Sequence, residues 1–348
     1  MPFKKILIAN RGEIAIRILR SCREMGIQTV SVHSTADEDS LHVKLADESV
    51  CIGPPKAALS YLNIPSILSA AEITGADAIH PGFGFLSENT DFAAACEKWN
   101  ITFIGPSSKS IERMGDKILS KRIAQKAGIP VLRPIRVKSS TDKKIQADVE
   151  EMKFPVLIKA AAGGGGRGMQ RIDSMDQLLP AIERLKTEAK NGFGDDTLFI
   201  EKYITNPRHI EVQILADRHG NVIHLGERDC TIQRRFQKVI EESPSPILTE
   251  KKRKEICLAA VNLSKFVKYD SVGTVEFLYD QDEGKFYFME MNTRIQVEHP
   301  VTELRTGIDL VANQIRVAAG EVLAYRQKDI VFTGHSLECR INAEDPHT

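Results

Sequence analysis

The sequence predicts an α/β protein in which a doubly wound parallel sheet precedes a larger α+β region, and three observations support this prediction. Strand-like and helix-like segments alternate over residues 1–110, as in parallel sheets that carry helices on both faces. Two pairs of strand-like segments, over residues 209–230 and 273–292, are separated by short turns, as in antiparallel hairpins. Four consecutive glycines, Gly163–Gly166, follow another strand-like segment and are typical of a loop that approaches a ligand.

The composition is that of an ordinary globular protein. The 348 residues are 42% hydrophobic and 27% charged, and this length accommodates two or three domains. The formal net charge is zero and there is no basic block, so nothing indicates a nucleic-acid partner. The chain has neither the apolar run of roughly 20 residues that spans a bilayer nor a signal peptide. Six widely spaced cysteines without a CxxC motif indicate reduced, mostly buried thiols and a cytosolic location.

In the N-terminal region, strands and helices follow one another. The apolar segment KILIAN predicts a strand, and the spacing of Ile14, Ile18 and Leu19 predicts a helix that ends at Gly26. Further strands are predicted at IQTVSVHS, ADAIHPG and ITFIGP. The loops NRGE and HPGFGFLSEN would lie at the carboxyl ends of strands, where ligands bind in such sheets, unless they are only tight turns.

The rest of the chain predicts a small unit followed by antiparallel hairpins. A helix over 116–128 begins with Asp116 as its cap and ends at Gly128. The remaining predicted elements are strands at FPVLIKAA, TLFIEKYI, HIEVQILAD, VIHLGERDC, GTVEFLYD, KFYFMEMN and HSLECRINAED, and helices near 174–191, 249–268 and 308–319.

The glycine-rich segment IKAAAGGGGRGMQR, Ile158–Arg171, predicts a phosphate-binding loop. Backbone N–H groups in such loops cradle phosphate oxygens, and Lys159 and Arg167 add positive charge. The spacing matches neither of the two common nucleotide-binding glycine motifs. The alternative is a flexible hairpin tip without a ligand.

Two carboxylates are predicted to face each other across the last hairpin. If the hairpin is centred on Glu283, Glu276 falls opposite Glu290. Like charges in this position destabilise a sheet unless a cation lies between them. Together with Asn292, these residues offer only oxygen ligands, which suit Mg²⁺ or Mn²⁺. A register shifted by one residue would instead place the carboxylates in solvent.

The segment Met289–Thr302, MEMNTRIQVEHPVT, predicts an extended chain with one polar face. Every second residue from Glu290 is polar, and Arg294 and Gln296 on that face could hold a small oxyanion. Glu298 could then remove a proton from it. Gln233, Arg234, Arg235 and Lys238 offer further polar and positive groups, although any one of them could be a solvated surface residue.

These motifs are similar, in their order along the chain, to those of the biotin carboxylases, which are ATP-grasp ligases. The segments that carry the resemblance are IANRGEIAIRI, HPGFGFLSEN, FIGP, MGDK, IKAAAGGGGRGM, EKYITNPRHIEVQ, RDCTIQRRFQK, TVEFL and EMNTRIQVEHPVTE, and they cover essentially the whole chain. The resemblance implies MgATP-driven carboxylation of biotin on a carrier protein, with bicarbonate as the carbon source. Carboxyphosphate would be the intermediate.

The resemblance also implies a role for individual residues. The nucleotide contacts would be Lys117, Lys159, Gly164, Gly165, Gly166, Met169, Glu201, Lys202, His209 and Gln233. Glu276 and Glu290 would bind the metal, with Asn292 near a second ion, and Lys238, Arg294, Gln296 and the Val297 backbone would hold bicarbonate. Glu298 would be the base, and Arg340 would stabilise the biotin enolate.

The resemblance further implies three domains and several partners. The domains would be an N-terminal domain over 1–114, an ATP-grasp domain over 115–320 with a mobile lid near 131–203, and the start of a C-terminal domain over 321–348. The chain stops before the stretch that completes that domain in the family, so we expect a weakened homodimer and, if that stretch is required for turnover, a loss of activity. Phe236 replaces a histidine that is common in the family. The biotin carboxyl carrier protein and the carboxyltransferase would be other chains, because no AMKM-type motif occurs.

Three functions therefore stay open at this point. The first is the biotin carboxylase component of acetyl-CoA carboxylase, or of a propionyl-CoA, methylcrotonyl-CoA or pyruvate carboxylase. The second is another bicarbonate-using ATP-grasp ligase, such as a carbamoyl-phosphate synthetase. The third is a nucleotide-binding module without turnover that acts through assembly.

Overall fold

The computed structural model describes residues 3–132, 134–137, 143–160, 168–193, 195–235 and 237–342. The predictions for Gly164, Gly165, Gly166, Arg167 and Phe236 concern residues outside these ranges, as do those for the last six residues. Within the described ranges, no helix is long and apolar enough to cross a membrane. All six cysteines are unpaired, and only Cys51 and Cys339 are exposed, as the sequence predicted.

The N-terminal sheet is parallel and doubly wound, which confirms the prediction. Its strands are β1 (Lys5–Ile8), β2 (Gln28–Ser34), β3 (Glu48–Gly53), β4 (Ala78–His80) and β5 (Thr102–Phe103), in the order β3-β2-β1-β4-β5. The helices of this region are α1 (Gly12–Glu24), α2 (Leu41–Leu45), α3 (Ile64–Thr74), α4 (Thr90–Lys98) and α5 (Ser108–Gly115).

The strand order reverses between β1 and β4, so the loops that follow these two strands are neighbours. The Asn10 amide donates to the carbonyl oxygens of Pro81 and Phe83, both at 2.7 Å. The two loops that the sequence singled out therefore contact each other at the carboxyl edge of the sheet, the position at which such sheets bind ligands.

A helix and a small antiparallel sheet follow. Helix α6 (Lys117–Lys126) is capped by Asp116, whose side chain accepts hydrogen bonds from the backbone of Ile118 and Leu119. The strands are β6 (Ile135–Val137), β7 (Val156–Ala160), β8 (Met169–Ile172) and β9 (Leu198–Lys202), in the order β6-β9-β7-β8, and they pack with α7 (Lys143–Met152) and α8 (Met175–Phe193). This unit has a hydrophobic core of its own.

The largest sheet is six-stranded and antiparallel, with the order β14-β13-β10-β11-β12-β15. Its strands are β10 (Pro207–Ala216), β11 (Val222–Arg234), β12 (Gln237–Ser243), β13 (Ser271–Asp280), β14 (Lys285–Asn292) and β15 (Ser336–Cys339). The helices are α9 (Glu250–Val267), α10 (His299–Thr306) and α11 (Leu310–Ala318). The sequence predicted the hairpins β10–β11 and β13–β14 but not the pairing of β10 with β13.

The prediction that Met289–Thr302 is one extended chain with one polar face was wrong beyond Asn292. Strand β14 ends at that residue, and helix α10 begins at His299 with a proline in its first turn. Ile295 is fully buried in the core shared with α1, and the polar neighbours Gln296 and Glu298 are buried too. The packing of Ile295 against the N-terminal region and the onset of α10 override the alternating pattern.

One hydrophobic cluster joins the N-terminal sheet to the largest sheet. Ile14 and Ile18 of α1 pack in it with Ile295, and with Leu310 of α11. Beside this cluster, the Arg17 guanidinium lies 2.9 Å from oxygens of both Glu303 and Asp309. The apolar contacts supply most of the stabilisation between the two regions, since area removed from water dominates such packing.

We predict that Ile18→Ala destabilises the whole chain. Ile18 is 0% exposed, and truncation of a buried isoleucine removes apolar contacts and leaves a cavity, at a cost of about 2–5 kcal/mol. The matched control is Ile73→Ala in α3, where the isoleucine is 81% exposed and the expected change stays within about 0.5 kcal/mol. Urea unfolding monitored by circular dichroism measures both, and equal midpoints for the two variants would contradict the assignment of this core.

Candidate active site

Lys238 lies among three buried carboxylates on the largest sheet and the segment after it. Its Nζ is 2.5 Å from Glu211, 2.9 Å from Glu276 and 2.6 Å from Glu298. Burial alone would lower the pKa of Lys238, but Glu211 and Glu276 outweigh it and hold that pKa well above its usual value. The ammonium group therefore stays charged and offsets much of the negative charge around it.

Arg228 on β11 is the second cation of the site, and it is fully buried. Its guanidinium donates to Glu211 at 2.5 Å and also to side-chain oxygens of Gln213, Thr274, Gln296 and Thr302 at 2.7–3.3 Å. Opposite charges and satisfied donors make such burial tolerable. Arg228 thus holds the side chain of Gln296, one of the predicted oxyanion ligands, through a hydrogen bond to its amide oxygen.

Glu276 and Glu290 are paired directly across β13 and β14, as the sequence predicted. The register shifts just beyond this pair, because Phe277 pairs with Phe288 and Met289 is an extra residue. Between Phe277 and the turn the strands pair in a register that differs by one residue from a hairpin centred on Glu283, and the β-bulge at Met289 brings the two carboxylates opposite each other.

The two carboxylates differ in their surroundings. His209 Nε2 lies 2.9 Å from Glu276, which also accepts hydrogen bonds from Asn292 and Gln296 at 2.8 and 3.0 Å. Burial opposes ionisation of Glu276, but His209 and Lys238 outweigh it, and its pKa lies well below the usual value. Burial raises the pKa of Glu290, and the charge of Glu276 raises it further. The pair is therefore short of positive charge on the Glu290 side.

Glu298, the predicted base, is buried between two cations. One oxygen accepts from Lys238 at 2.6 Å, and the other accepts from Arg340 at 2.8 Å. Arg340 follows the edge strand β15, and its Nε donates to Glu241 of β12 at 2.6 Å. The structure thus brings Lys238, Glu298 and Arg340 together, although they are far apart in sequence.

Arg294 is held from the N-terminal region. Its Nε donates to Glu88 at 2.9 Å, and the same carboxylate accepts from the Thr293 backbone at 2.9 Å. Another guanidinium nitrogen of Arg294 donates to Asn292 at 3.1 Å. Glu88 belongs to the loop after β4, so one of the predicted loops contributes to the site. Val297 lies three residues after Arg294 and is half-buried in a turn.

Within the described residues, the predicted nucleotide contacts lie on the small sheet, on the large sheet and at the start of α6. In the small sheet, Lys159 pairs in register with Met169 and lies 2.6 Å from Glu201, which Lys121 also contacts at 3.0 Å. In the large sheet, Gln233 lies 3.2 Å from His209, which reaches Glu276.

Two further predicted nucleotide contacts are Lys202, which follows Glu201 on β9, and Lys117. Lys202 forms an ion pair with Glu283 in the turn of the last hairpin. Lys117 begins α6, and its charge acts on Glu290.

Some sequence predictions for the site need correction or addition. Arg234 and Arg235 are exposed at the turn between β11 and β12, and Lys238 is the cation of that segment that enters the site. Glu211 and Arg228 were not predicted from the sequence, although a hairpin centred on the turn RHGN pairs these two residues. Glu88 and Glu241 were also missed, because their partners come from distant segments.

Comparisons with known proteins agree with this architecture. The sequence model described as the N-terminal domain of biotin carboxylase matches residues 2–111, and the one described as the ATP-binding domain of the carbamoyl-phosphate synthase L chain matches residues 116–326. The chain is 54% identical to the biotin carboxylase of Haemophilus influenzae, over 99% of this chain and 77% of the relative. It is also 54% identical to a pyruvate carboxylase subunit of Methanothermobacter thermautotrophicus, over 99% of this chain and 70% of that relative.

Solved structures show the same similarity. A biotin carboxylase–β,γ-ATP complex from Campylobacter jejuni superposes with a TM-score of 0.89 at 50% identity, over 99% of this chain and 77% of that one. A second structure is the biotin carboxylase domain dimer of a 2-oxoglutarate carboxylase from Hydrogenobacter thermophilus, in complex with MgADP, ADP and bicarbonate. It superposes with a TM-score of 0.87 at 51% identity, over 99% of this chain and 76% of that one.

The parallel N-terminal sheet, the two antiparallel sheets and these matches define an enzyme of the ATP-grasp ligase class. Within that class, the chain belongs to the biotin carboxylase family.

We predict that Arg228→Met destabilises the chain by roughly 3–5 kcal/mol, because the buried Glu211 would keep Lys238 but lose its other close cation, and the hydrogen bonds of Arg228 to the neighbouring side chains would be lost too. The control is Arg218→Met, since Arg218 is half-exposed and lies 3.5 Å from Asp270. Chemical denaturation of both variants gives the free energies of unfolding. A change for Arg228→Met no larger than that for Arg218→Met would show that the buried guanidinium is not what stabilises this cluster.

Proposed function

We propose that the chain carboxylates biotin on a biotin carboxyl carrier protein, with ATP and bicarbonate as the other substrates. The observation that supports it best is the contact of the Glu298 carboxylate with both Lys238 and Arg340, beside the paired Glu276 and Glu290. Relatives that carry the name biotin carboxylase, and the related structure with MgADP and bicarbonate, support the substrates.

In this proposal, Lys238, Arg294, Gln296 and the Val297 backbone bind bicarbonate, and Glu298 removes its proton. The bicarbonate oxygen then attacks the γ-phosphorus of ATP, the bond to the β-phosphate oxygen breaks, and ADP leaves. The resulting carboxyphosphate breaks down to CO₂ and phosphate in a site that excludes water. The biotin ureido nitrogen loses its proton to phosphate and attacks CO₂, while Arg340 stabilises the enolate oxygen.

The residues fit a magnesium site. Glu276, Glu290 and Asn292 offer hard oxygen donors, and burial together with the charge of Glu276 raises the pKa of Glu290, so a cation beside Glu290 would be favourable. Mg²⁺ held there would supply the positive charge that ATP phosphates need. A second ion, and Mn²⁺ in place of Mg²⁺, stay predictions.

The nucleotide would lie between the large sheet and the small one. The residues proposed to contact it come from the two sheets and from α6, and they are Lys117, Lys159, Glu201, Lys202, His209 and Gln233. We propose that the small sheet, as part of a lid over 131–203, closes on ATP, with domains divided near 114 and 320. The separate hydrophobic core of the small sheet supports this, because it can move as a unit.

Two candidate functions differ in the molecule that finally accepts the carboxyl group from biotin. We propose the first half-reaction of acetyl-CoA carboxylase, in fatty-acid synthesis, with the carrier and the carboxyltransferase on other chains. A pyruvate carboxylase is the second candidate, since one relative that carries this name is 54% identical over 99% of this chain. A homodimer is a further part of the proposal, supported by the related dimeric structure. A cytosolic location stays a prediction.

We predict that the chain hydrolyses ATP with Mg²⁺ and bicarbonate, that free biotin stimulates this turnover, and that Glu298→Gln lowers it by at least about a hundredfold. The amide cannot accept the bicarbonate proton. Glu72→Gln, at an exposed position of α3, is the control and keeps wild-type turnover. Bicarbonate-dependent hydrolysis without any effect of biotin would favour another bicarbonate-using ligase. Bound ATP without turnover would favour the non-catalytic module.

We also predict that Glu290→Gln raises the Mg²⁺ concentration for half-maximal ATP hydrolysis by about tenfold or more, because one charged ligand is lost. Asp282→Asn is the control, since Asp282 lies in the exposed turn of the same hairpin. A titration of Mg²⁺ at saturating ATP measures the effect. An unchanged Mg²⁺ requirement would mean that Glu290 is not a ligand.

A further inference from the structure

Six charged side chains of alternating sign form a continuous series across the candidate site, and Glu241 is its last member. The series runs Arg228, Glu211, Lys238, Glu298, Arg340, Glu241, with successive nitrogen–oxygen distances of 2.5, 2.5, 2.6, 2.8 and 2.6 Å. Each inner member has an opposite charge on both sides. Glu241 has one such neighbour in the series, and the mechanism above gives it no role.

The Glu241 side chain is fully buried and only half satisfied. One oxygen accepts the hydrogen bond from Arg340, whereas Oε2 has no partner among the residues that the structure describes. Its cross-strand neighbour is Glu338, a second carboxylate. A buried carboxylate in this position costs free energy, so stability alone would favour a neutral residue. The contact with Arg340 is therefore the feature that explains why a charged residue occupies position 241.

The position of Arg340 depends on two carboxylates that lie on different elements. Its Nε donates to Glu241 of β12, and a terminal nitrogen donates to Glu298 at the start of α10. Two bonds from different nitrogens of a planar guanidinium fix its orientation, whereas one bond leaves it free to rotate. The Arg340 side chain is 27% exposed, so part of the group stays accessible to a ligand.

We propose that Glu241 is a positioning residue for the biotin step, because it orients Arg340 beside Glu298 with the remaining N–H donors toward the biotin ureido oxygen. This inference rests on the proposed function, in which Arg340 contacts biotin. Without Glu241, Arg340 would keep only its bond to Glu298, and biotin would bind less tightly. The contact of Lys238 with Glu298 would remain, so bicarbonate activation would continue.

The test compares Glu241→Gln, Glu241→Asp and the control Glu242→Gln in ATP hydrolysis at varied biotin. Glu242 is the next residue of β12, and its carboxylate lies 3.1 Å from His335 instead of Arg340. For Glu241→Gln, whose amide oxygen can keep only a weaker hydrogen bond to Arg340, we expect the KM for free biotin to rise about three- to tenfold, the range for losing half of a charge-assisted hydrogen bond. Biotin-free hydrolysis should stay within about twofold of wild type. Glu241→Asp should restore part of the biotin KM, and Glu242→Gln should match wild type.

A double-mutant cycle with Arg340→Gln shows whether Glu241 acts through Arg340. In the Arg340→Gln background, Glu241→Gln should have no further effect on the biotin step. Losses that multiply in the double variant would overturn the proposal. An unchanged biotin KM in Glu241→Gln would also overturn it. So would a loss of biotin-free hydrolysis in that variant as large as the loss in the biotin step.

A second measurement separates this inference from the proposed function. If the wild-type chain shows no biotin-stimulated turnover, the proposed function fails, and urea unfolding of the four proteins of the cycle then tests the contact itself. Favourable coupling between Glu241 and Arg340 would show that Glu241 holds Arg340 in place although the biotin step is absent, whereas independent effects on unfolding would refute the contact as well.

Discussion

The ammonium group of Lys238 is the interaction on which the rest of the site depends. Glu211, Glu276 and Glu298 are each at most 4% exposed, and carboxylates so close together and so deeply buried would repel one another without a cation between them. Lys238 contacts all three, and Arg228 neutralises Glu211 from the other side. The alternation of charge from Arg228 to Glu241 follows from this constraint, because each buried carboxylate needs a cationic neighbour. A site assembled in this way is fixed before any substrate binds, and its groups need little rearrangement during reaction.

The same constraint explains the departures from regular structure nearby. The extra residue Met289 in β14 allows Glu290 to lie opposite Glu276 while Phe277 and Phe288 remain paired in the core. The chain then leaves the sheet after Asn292, so that Ile295 enters the core beside α1 and Glu298 comes next to Lys238. A regular strand would carry Glu298 away from that contact. The irregular segment is thus where the hydrophobic core and the charged site determine one backbone path together.

The sequence predicted what depends on neighbouring segments and missed what depends on distant ones. The parallel sheet, helix α1 with Gly26 just after its end, and the Asp116 cap all follow from local patterns. The pair Glu276–Glu290 was predicted from symmetry about Glu283, but it forms because the bulge at Met289 corrects a register that is offset near the turn. The pairing of β10 with β13, which places Glu211 beside Glu276, joins segments about sixty residues apart and has no local signal. For the same reason, Glu88 and Glu241 could not be recognised as partners of Arg294 and Arg340. The roles of Lys238 and Arg340 came from the family resemblance and not from their spacing.

Both halves of the molecule contribute to the site, and this links its geometry to the docking of the N-terminal region. Glu88 holds Arg294 across the boundary, and the ion pairs of Arg17 with Glu303 and Asp309 hold α1 against α10 and α11. Helix α10 begins directly after Glu298, so any shift of α1 moves the predicted base relative to Lys238. The apolar cluster of Ile14, Ile18 and Ile295 resists such a shift, since close-packed cores deform little. The core that joins the two regions therefore serves the chemistry as well as the stability of the chain, because it sets the distance between the carboxylate and the ammonium group that it contacts.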